Sequence, residues 1–528
     1  MSAQRTAIGI ALAFTILPAI ASDYLGKGPD GHDNGAAHAC TGTQPSQAAV
    51  ICVRAGAASG GNGAASTPLS TINAAIAAAK AGDIVQVAAG TYLENVALGA
   101  FNAGSGKHLT LLGGFNADFS ARDASQYITT INGGDLAPAV ALHVQMAAGE
   151  RTTLDGFTLT HGRGLGNDWS DGRGAGGGVH AQVFGHGEIV ISHNVIHANR
   201  TASHTAGDTR GGGIHAETEA WDPAFTGVVR IEDNTVRDNL AGKGAGINII
   251  GREAVVLRNL IQDNTSHGDH GGGLYVSTRI PQVRDNVIRG NVVGATAGYG
   301  WGGGIIVAGA GADLQGNVIT DNHAPSIGSG VFWDEAAVGT MKNDLIFKNR
   351  CASGGVAIYI DGQQETPPQG GSVVEIENLT LADHLCPGGG TVIELERGST
   401  LSMRNSILWN NSGGIGNEAF WNNTLDMAWS IAQEPGIGNF HADPLFANAD
   451  AGDYHLRSGG GRFTPTGWVI DAVHSPAIDA GDPASDPSQE TEPNGAHINL
   501  GAYGNTVQAS RSVGNSAIFA DGFEETMF

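Results

Sequence analysis

Cationic side chains are scarce in this sequence: 27 Lys and Arg stand against 51 Asp and Glu, a formal net charge of −24 over 528 residues. Nucleic acid is therefore excluded as a natural partner, because phosphate binding needs a clustered basic surface. Aromatics make up 6% and charged residues 15%. Long apolar runs are also missing. The one candidate, Ala7 to Leu17, follows Arg5 and leads through Pro18 to Ala19 and Ala21. It is too short to span a bilayer and reads as a signal peptide, residues 1–21, cut before Ser22. No later segment is expected to be transmembrane, and no set of alternating strands is available for a membrane barrel. Four cysteines, Cys40, Cys52, Cys351 and Cys386, in an exported chain suggest disulfides.

Glycine, by contrast, is abundant, 82 residues, and it is periodic. Glycine pairs or triplets lead into short apolar strands at Gly176, Gly211, Gly244, Gly271, Gly302 and Gly328. Between them recurs a second phrase with asparagines five apart: Asn194 and Asn199, Asn234 and Asn239, Asn259 and Asn264, Asn286 and Asn291, Asn317 and Asn322. Weaker copies start at Gly156, Asp344, Asn378 and Asn405. Steps of 25 to 40 residues without helical periodicity predict one β-solenoid coil per repeat. Alternation puts apolar residues inside, and stacked coils bury them together. The asparagines are expected to form an amide ladder inside a bend. The class is all-β, about ten to twelve coils, with an Ala-rich capping helix over residues 69–80.

These phrases resemble the right-handed parallel β-helix of the pectin-lyase-like superfamily and the repeats of other surface β-helices. The stretches Asp443 to Phe446, Gly452 to Leu456, Ser475 to Asp482 and Asn499 to Tyr503 resemble a cell-surface tail called choice-of-anchor type Q. Phe519 to Glu524 is similar to a short C-terminal tag of some secreted gammaproteobacterial proteins. The organisation expected is a signal peptide, an N-terminal segment 22–65, a β-helix 66–435, an anchor-like tail 436–510 and a tag 511–528, in a bacterial protein that is secreted or held at the cell surface, as a monomer. The resemblance implies a polysaccharide or cell-surface glycan as partner, but that fold carries lyases, hydrolases, esterases and adhesins alike.

Charge narrows the place to look. Residues 401–528 hold 4 Lys/Arg against 15 Asp/Glu, whereas 151–290 hold 13 against 15, with nine of the 19 histidines. Aligned on the glycines, Arg210, Lys243, His270 and Trp301 form one column; His180, His215, Asn248 and Tyr275 form the next; Gln182 and Glu217 begin a third. β-Elimination of an acidic polysaccharide needs a cation for the uronate carboxylate, a base for the α-proton and an acid for the leaving oxygen. Arg210 suits the first role, Lys243 or His215 the second, and Tyr275 or His270 the third. Trp169, His180, Glu217, Asn248 and Trp301 would line the substrate. Glycoside hydrolysis would instead use paired carboxylates, Glu217 with Asp269, Glu219 or Asp222. Outward polar residues of a solenoid are, however, ordinarily just solvated. A non-catalytic adhesin and a structural spacer remain as alternatives. His267, Asp269 and His270 match no zinc spacing, and the Gly-Gly-X-Gly-X-Asp calcium repeat is missing, so folding does not require calcium, no cofactor is indicated and no metal ligand is expected.

Overall fold

The computed structural model describes residues 49–513, apart from 102–103, 166–173, 202–208, 219–223, 269, 295–299, 310, 352–355, 364–369, 385, 387–389 and 418. The expected signal peptide, Cys40 and all but the first three residues of the C-terminal tag lie outside them. The chain winds as a right-handed parallel β-helix. One wall is an 11-stranded parallel sheet; the other two are joined by bent strands such as Ile247–Leu257 and Leu274–Arg284 into a 22-stranded sheet.

Each coil turns at three corners where the backbone is left-handed. One is the first glycine of each repeat, with φ of 54–68° at Gly176, Gly211, Gly244, Gly271, Gly302 and Gly328. The second holds His193, Asp233, Arg258, Asp285, Gly316 and Asn343; the third holds Ala198, Asp238, Asp263, Gly290, Asp321 and Lys348. Asp, Asn and Gly dominate because they tolerate this conformation best.

The residue after each of the last two corners points inward, and there the asparagines stack into two buried ladders. Side-chain amides of Asn194, Asn234, Asn259, Asn286 and Asn317 each donate to the next residue's carbonyl oxygen at 2.9–3.1 Å, ending on Asp344. Asn199, Asn239, Asn264, Asn291, Asn322 and Asn349 repeat the arrangement. Each rung also satisfies backbone groups the corner strips of partners. Between the ladders, Ile196, Val236, Ile261, Ile288, Ile319 and Ile346 stack fully buried.

Three of the weaker copies are placed one residue early. Leu345 pairs with Thr380, so Asp344 stands beside Leu379, not Asn378. Likewise Phe157 and Ser406, not Gly156 and Asn405, occupy the ladder position. Gly156, Asn378 and Asn405 are the left-handed corner residues, φ 52–78°. Gly and Asn suit that corner, and Asn also suits the ladder, which is why the two positions look alike in sequence.

The capping helix is Ile72–Ala78, shorter than expected, with Thr71 as its N-cap and Ile72 and Ala75 buried. Glu94 accepts from the backbone N–H groups of Ile72 and Asn73, meeting the positive end of the helix. The β-helix begins ahead of it: Val50–Val53 pairs in parallel with Ile84–Ala88, inside the segment expected to precede the fold. The tail is short antiparallel pairs and turns, folded back on the 11-stranded sheet. Asn343 and Asn378 donate to the carbonyls of Ala502, Gly504, Asn499 and Gly501, and the Tyr454 hydroxyl donates to Asp383.

Among the described residues no helix is long and apolar enough to cross a membrane. Cys52 and Cys386 are each engaged in a disulfide, and the side chains of Cys40 and Cys351 lie outside the described residues.

Candidate functional site

Parallel register turns the sequence columns into real ones. His180 pairs with His215, His215 with Asn248, and Asn248 with Tyr275 on successive coils. Two residues along, His143, Gln182 and Glu217 stand side by side. At the glycine corner Arg210 bridges to Lys243, and His270 to Trp301. All these side chains stand on strands or strand ends, with positions set by backbone pairing rather than by loops.

The expectation of a solvated strip fails over the middle column. His180 is 2% exposed, and His215 and Asn248 are fully buried. Alternation does point them outward, but Phe101, Ser105 and Gly106 pack over that face. Ser105 bridges to Val144, and the Gly106 N–H donates to the His143 carbonyl at 3.0 Å. The Phe101 ring then lies 5.3 Å from His143 and 5.4 Å from His180. Burial holds the His143 imidazole down to about 4 and keeps His180 well below its ordinary value, with the neighbouring histidines adding to the effect at His180. Both rings are therefore neutral at pH 7.

His215 is engaged at both nitrogens, Nδ1 with Asn248 Oδ1 at 2.9 Å and Nε2 with Glu217 Oε1 at 2.8 Å. Gln182 donates to the other oxygen of Glu217 at 2.6 Å. Burial pushes the Glu217 carboxyl up, but the His215 hydrogen bond and charge, with the Gln182 amide, outweigh it and hold it at about 2. A fully buried imidazole held at both nitrogens is poorly placed as a general base, so of the two candidate bases Lys243 is the better placed.

Arg210, Lys243, His270, Tyr275 and Trp301 keep part of their surface exposed. The Arg210 guanidinium lies 6.0 Å from the centre of the Tyr275 ring, a favourable cation–ring contact. Burial pushes the Tyr275 phenol up to about 12, so it remains a hydrogen-bond donor at neutral pH. His270 sits edge-on to Trp301, centroids 4.7 Å apart. Trp169, Glu219, Asp222 and Asp269 lie outside the described residues, so none of the expected carboxylate pairs is seen whole.

Sequence reasoning missed His143, Phe101 and Asp334. The strand Val140–Met146, which carries His143, pairs in register with Val179–Gly185 but lacks the glycine triplet that marked the other strands. Asp334 lies next to Ala308 in its strand pairing, and burial pushes its carboxyl up to about 6.

Residues 55–268 match the family described as "Protein of unknown function (DUF1565)", and residues 388–481 the one described as "Disaggregatase related". Neither match spans half of the chain. No curated protein matches. Among solved structures, one described as the crystal structure of pectate lyase Pel9A is 14% identical, covering 86% of this chain and 95% of its own, with a TM-score of 0.42. Another, the complex of XylC with xylose, is 10% identical over 75% and 87%, with a TM-score of 0.41.

Proposed function

We propose that the chain binds an acidic polysaccharide along the strip Arg210, Lys243, His270, Trp301 and Tyr275, and cleaves it by β-elimination. The observation that carries this reading is the clustering of Arg210, Lys243 and Tyr275 on successive coils, with Arg210 over the Tyr275 ring. Arg210 would neutralise a uronate carboxylate and stabilise the charge that grows on it as the α-proton leaves. Lys243 would take that proton. Tyr275 would give its hydroxyl proton to the departing glycosidic oxygen as the C–O bond breaks, leaving an unsaturated uronate. Trp301, edge-on to His270, offers a partly exposed ring for a sugar face. The leader-like Arg5 and Ala7 to Leu17 support a secreted or surface-bound bacterial protein, in keeping with a large extracellular polymer as substrate.

One observation favours a second reading, glycoside hydrolysis. The Asp334 carboxyl, raised to about 6, is suited to donate a proton, and its charge is felt at Tyr275. The test is incubation with a panel of acidic and neutral polysaccharides, following both ultraviolet absorbance of unsaturated uronates and new reducing ends. Absorbance rising with reducing ends supports elimination; reducing ends alone support hydrolysis. Binding with neither leaves a non-catalytic glycan-binding protein, and no binding overturns the proposal.

A further inference from the structure

Beside the Phe101 ring, which lies against His180, is a cluster that elimination does not need. His180, His215 and Glu217 each present a ligand atom, and the three atoms lie within 4.8 Å of one another. We infer that this cluster is a binding site for a divalent transition-metal ion of the zinc class.

Four observations carry it. The donor set is two imidazoles and one carboxylate, which zinc accepts while leaving a fourth position open. His180 is 2% exposed, yet its Nε2 has no hydrogen-bond partner among the described residues, and a buried polar atom left so needs an explanation. His215 Nε2 and Glu217 Oε1, 2.8 Å apart, must share either a proton or a cation, since neither lone pair can satisfy the other. The supporting contacts are those of a metal site: Asn248 Oδ1 engages His215 Nδ1, and Gln182 Nε2 donates to the second oxygen of Glu217, so ring and carboxylate are both oriented from behind.

The backbone explains why the three meet. His215 and Glu217 are two apart on one strand and share a face, while His180 is the in-register neighbour of His215 one coil away. Neighbouring strands lie ~4.8 Å apart. Ligands of a tetrahedral zinc ion, each at about 2.0–2.2 Å from it, sit closer together than this, so small side-chain rotations would close the site. His143, with its ring centroid 4.9 Å from that of His180, stands beside the cluster. Nitrogen donors select against calcium, which takes oxygen ligands. No linear spacing announces such a site, because its ligands come from different coils.

The test is titration of the chelator-treated full chain with Zn²⁺ by calorimetry, and with Co²⁺ by visible absorption, no polysaccharide present. The expected result is one equivalent bound at this site, d–d bands of low-coordinate cobalt, and affinity lowered at least about tenfold in His180→Gln and Glu217→Gln and measurably in Asn248→Ala. Circular dichroism and thermal melting confirm that each variant is folded; should His180→Gln not fold, Glu217→Gln and Asn248→Ala carry the test. Absence of binding, a preference for Ca²⁺, or binding unchanged in the folded variants would overturn the inference. Because the readout is metal uptake alone, it stands or falls separately from the elimination proposal.

Discussion

Asp344 ends an asparagine ladder, and replacing it with asparagine should stabilise the fold above neutral pH. Its Oδ1 accepts from the Asn317 backbone N–H at 2.8 Å and from the Asn317 amide at 2.9 Å, as any rung would. Its Oδ2 is buried and has no partner among the described residues. In the rung below, the amide nitrogen at that place donates to the Val283 carbonyl, so an ionised Asp344 sets a negative oxygen where a donor belongs. Burial pushes this carboxyl up to about 7. A raised acid binds its proton more tightly folded than unfolded, so stability is highest near pH 4 and falls as pH rises towards 7. Three pKa units correspond to about 4 kcal/mol. In Asp344→Asn that slope should vanish, and the new N–H regains a hydrogen bond of about 1 kcal/mol. The assay is urea unfolding of both proteins from pH 5 to 8, comparing midpoints. The variant should gain most at pH 8 and least at pH 5. An advantage independent of pH, or a variant less stable at pH 8, would refute the reasoning.

Alanine at Asn264, mid-ladder, removes bonds to Asn239, Asn291 and Val236 and should cost about 3 kcal/mol or more, read as a lowered melting temperature; a change under 1 kcal/mol would contradict the ladder's role. Non-reducing peptide mapping should find Cys351 joined to Cys386. With Asp344 opposite Leu379, both cysteines fall seven residues past the same landmark, and closing that loop stabilises by roughly 3 to 4 kcal/mol on a chain-entropy view; pairing with Cys40 or Cys52 would break the register. Arg210→Ala and Lys243→Ala should each abolish polysaccharide turnover while leaving the melting temperature nearly unchanged, and turnover surviving both would move the site elsewhere.

The coil architecture was legible because each coil repeats the same demands: a left-handed glycine, a ladder asparagine, an inward isoleucine. Legibility failed where one residue type served two adjacent places, as Asn378 and Asn405 did at corners. It failed again over the site. Alternation correctly turned His180 and His215 away from the core, but nothing local says that Phe101, some 80 residues earlier than His180, packs against His180. The docking of the tail was equally hidden, since Asn343 meets Ala502 across 159 positions.

Arg210 and Lys243 mark the proposed site for an acidic polysaccharide. Electrophoresis of the native protein through gels cast with the anionic polymers of the panel, wild type beside the Arg210→Ala, Lys243→Ala double variant, tests it most directly. Wild type should be retarded by at least one uronate polymer, and the folded double variant should run as in an empty gel. Equal retardation of both, or none for wild type in any polymer, would contradict the account.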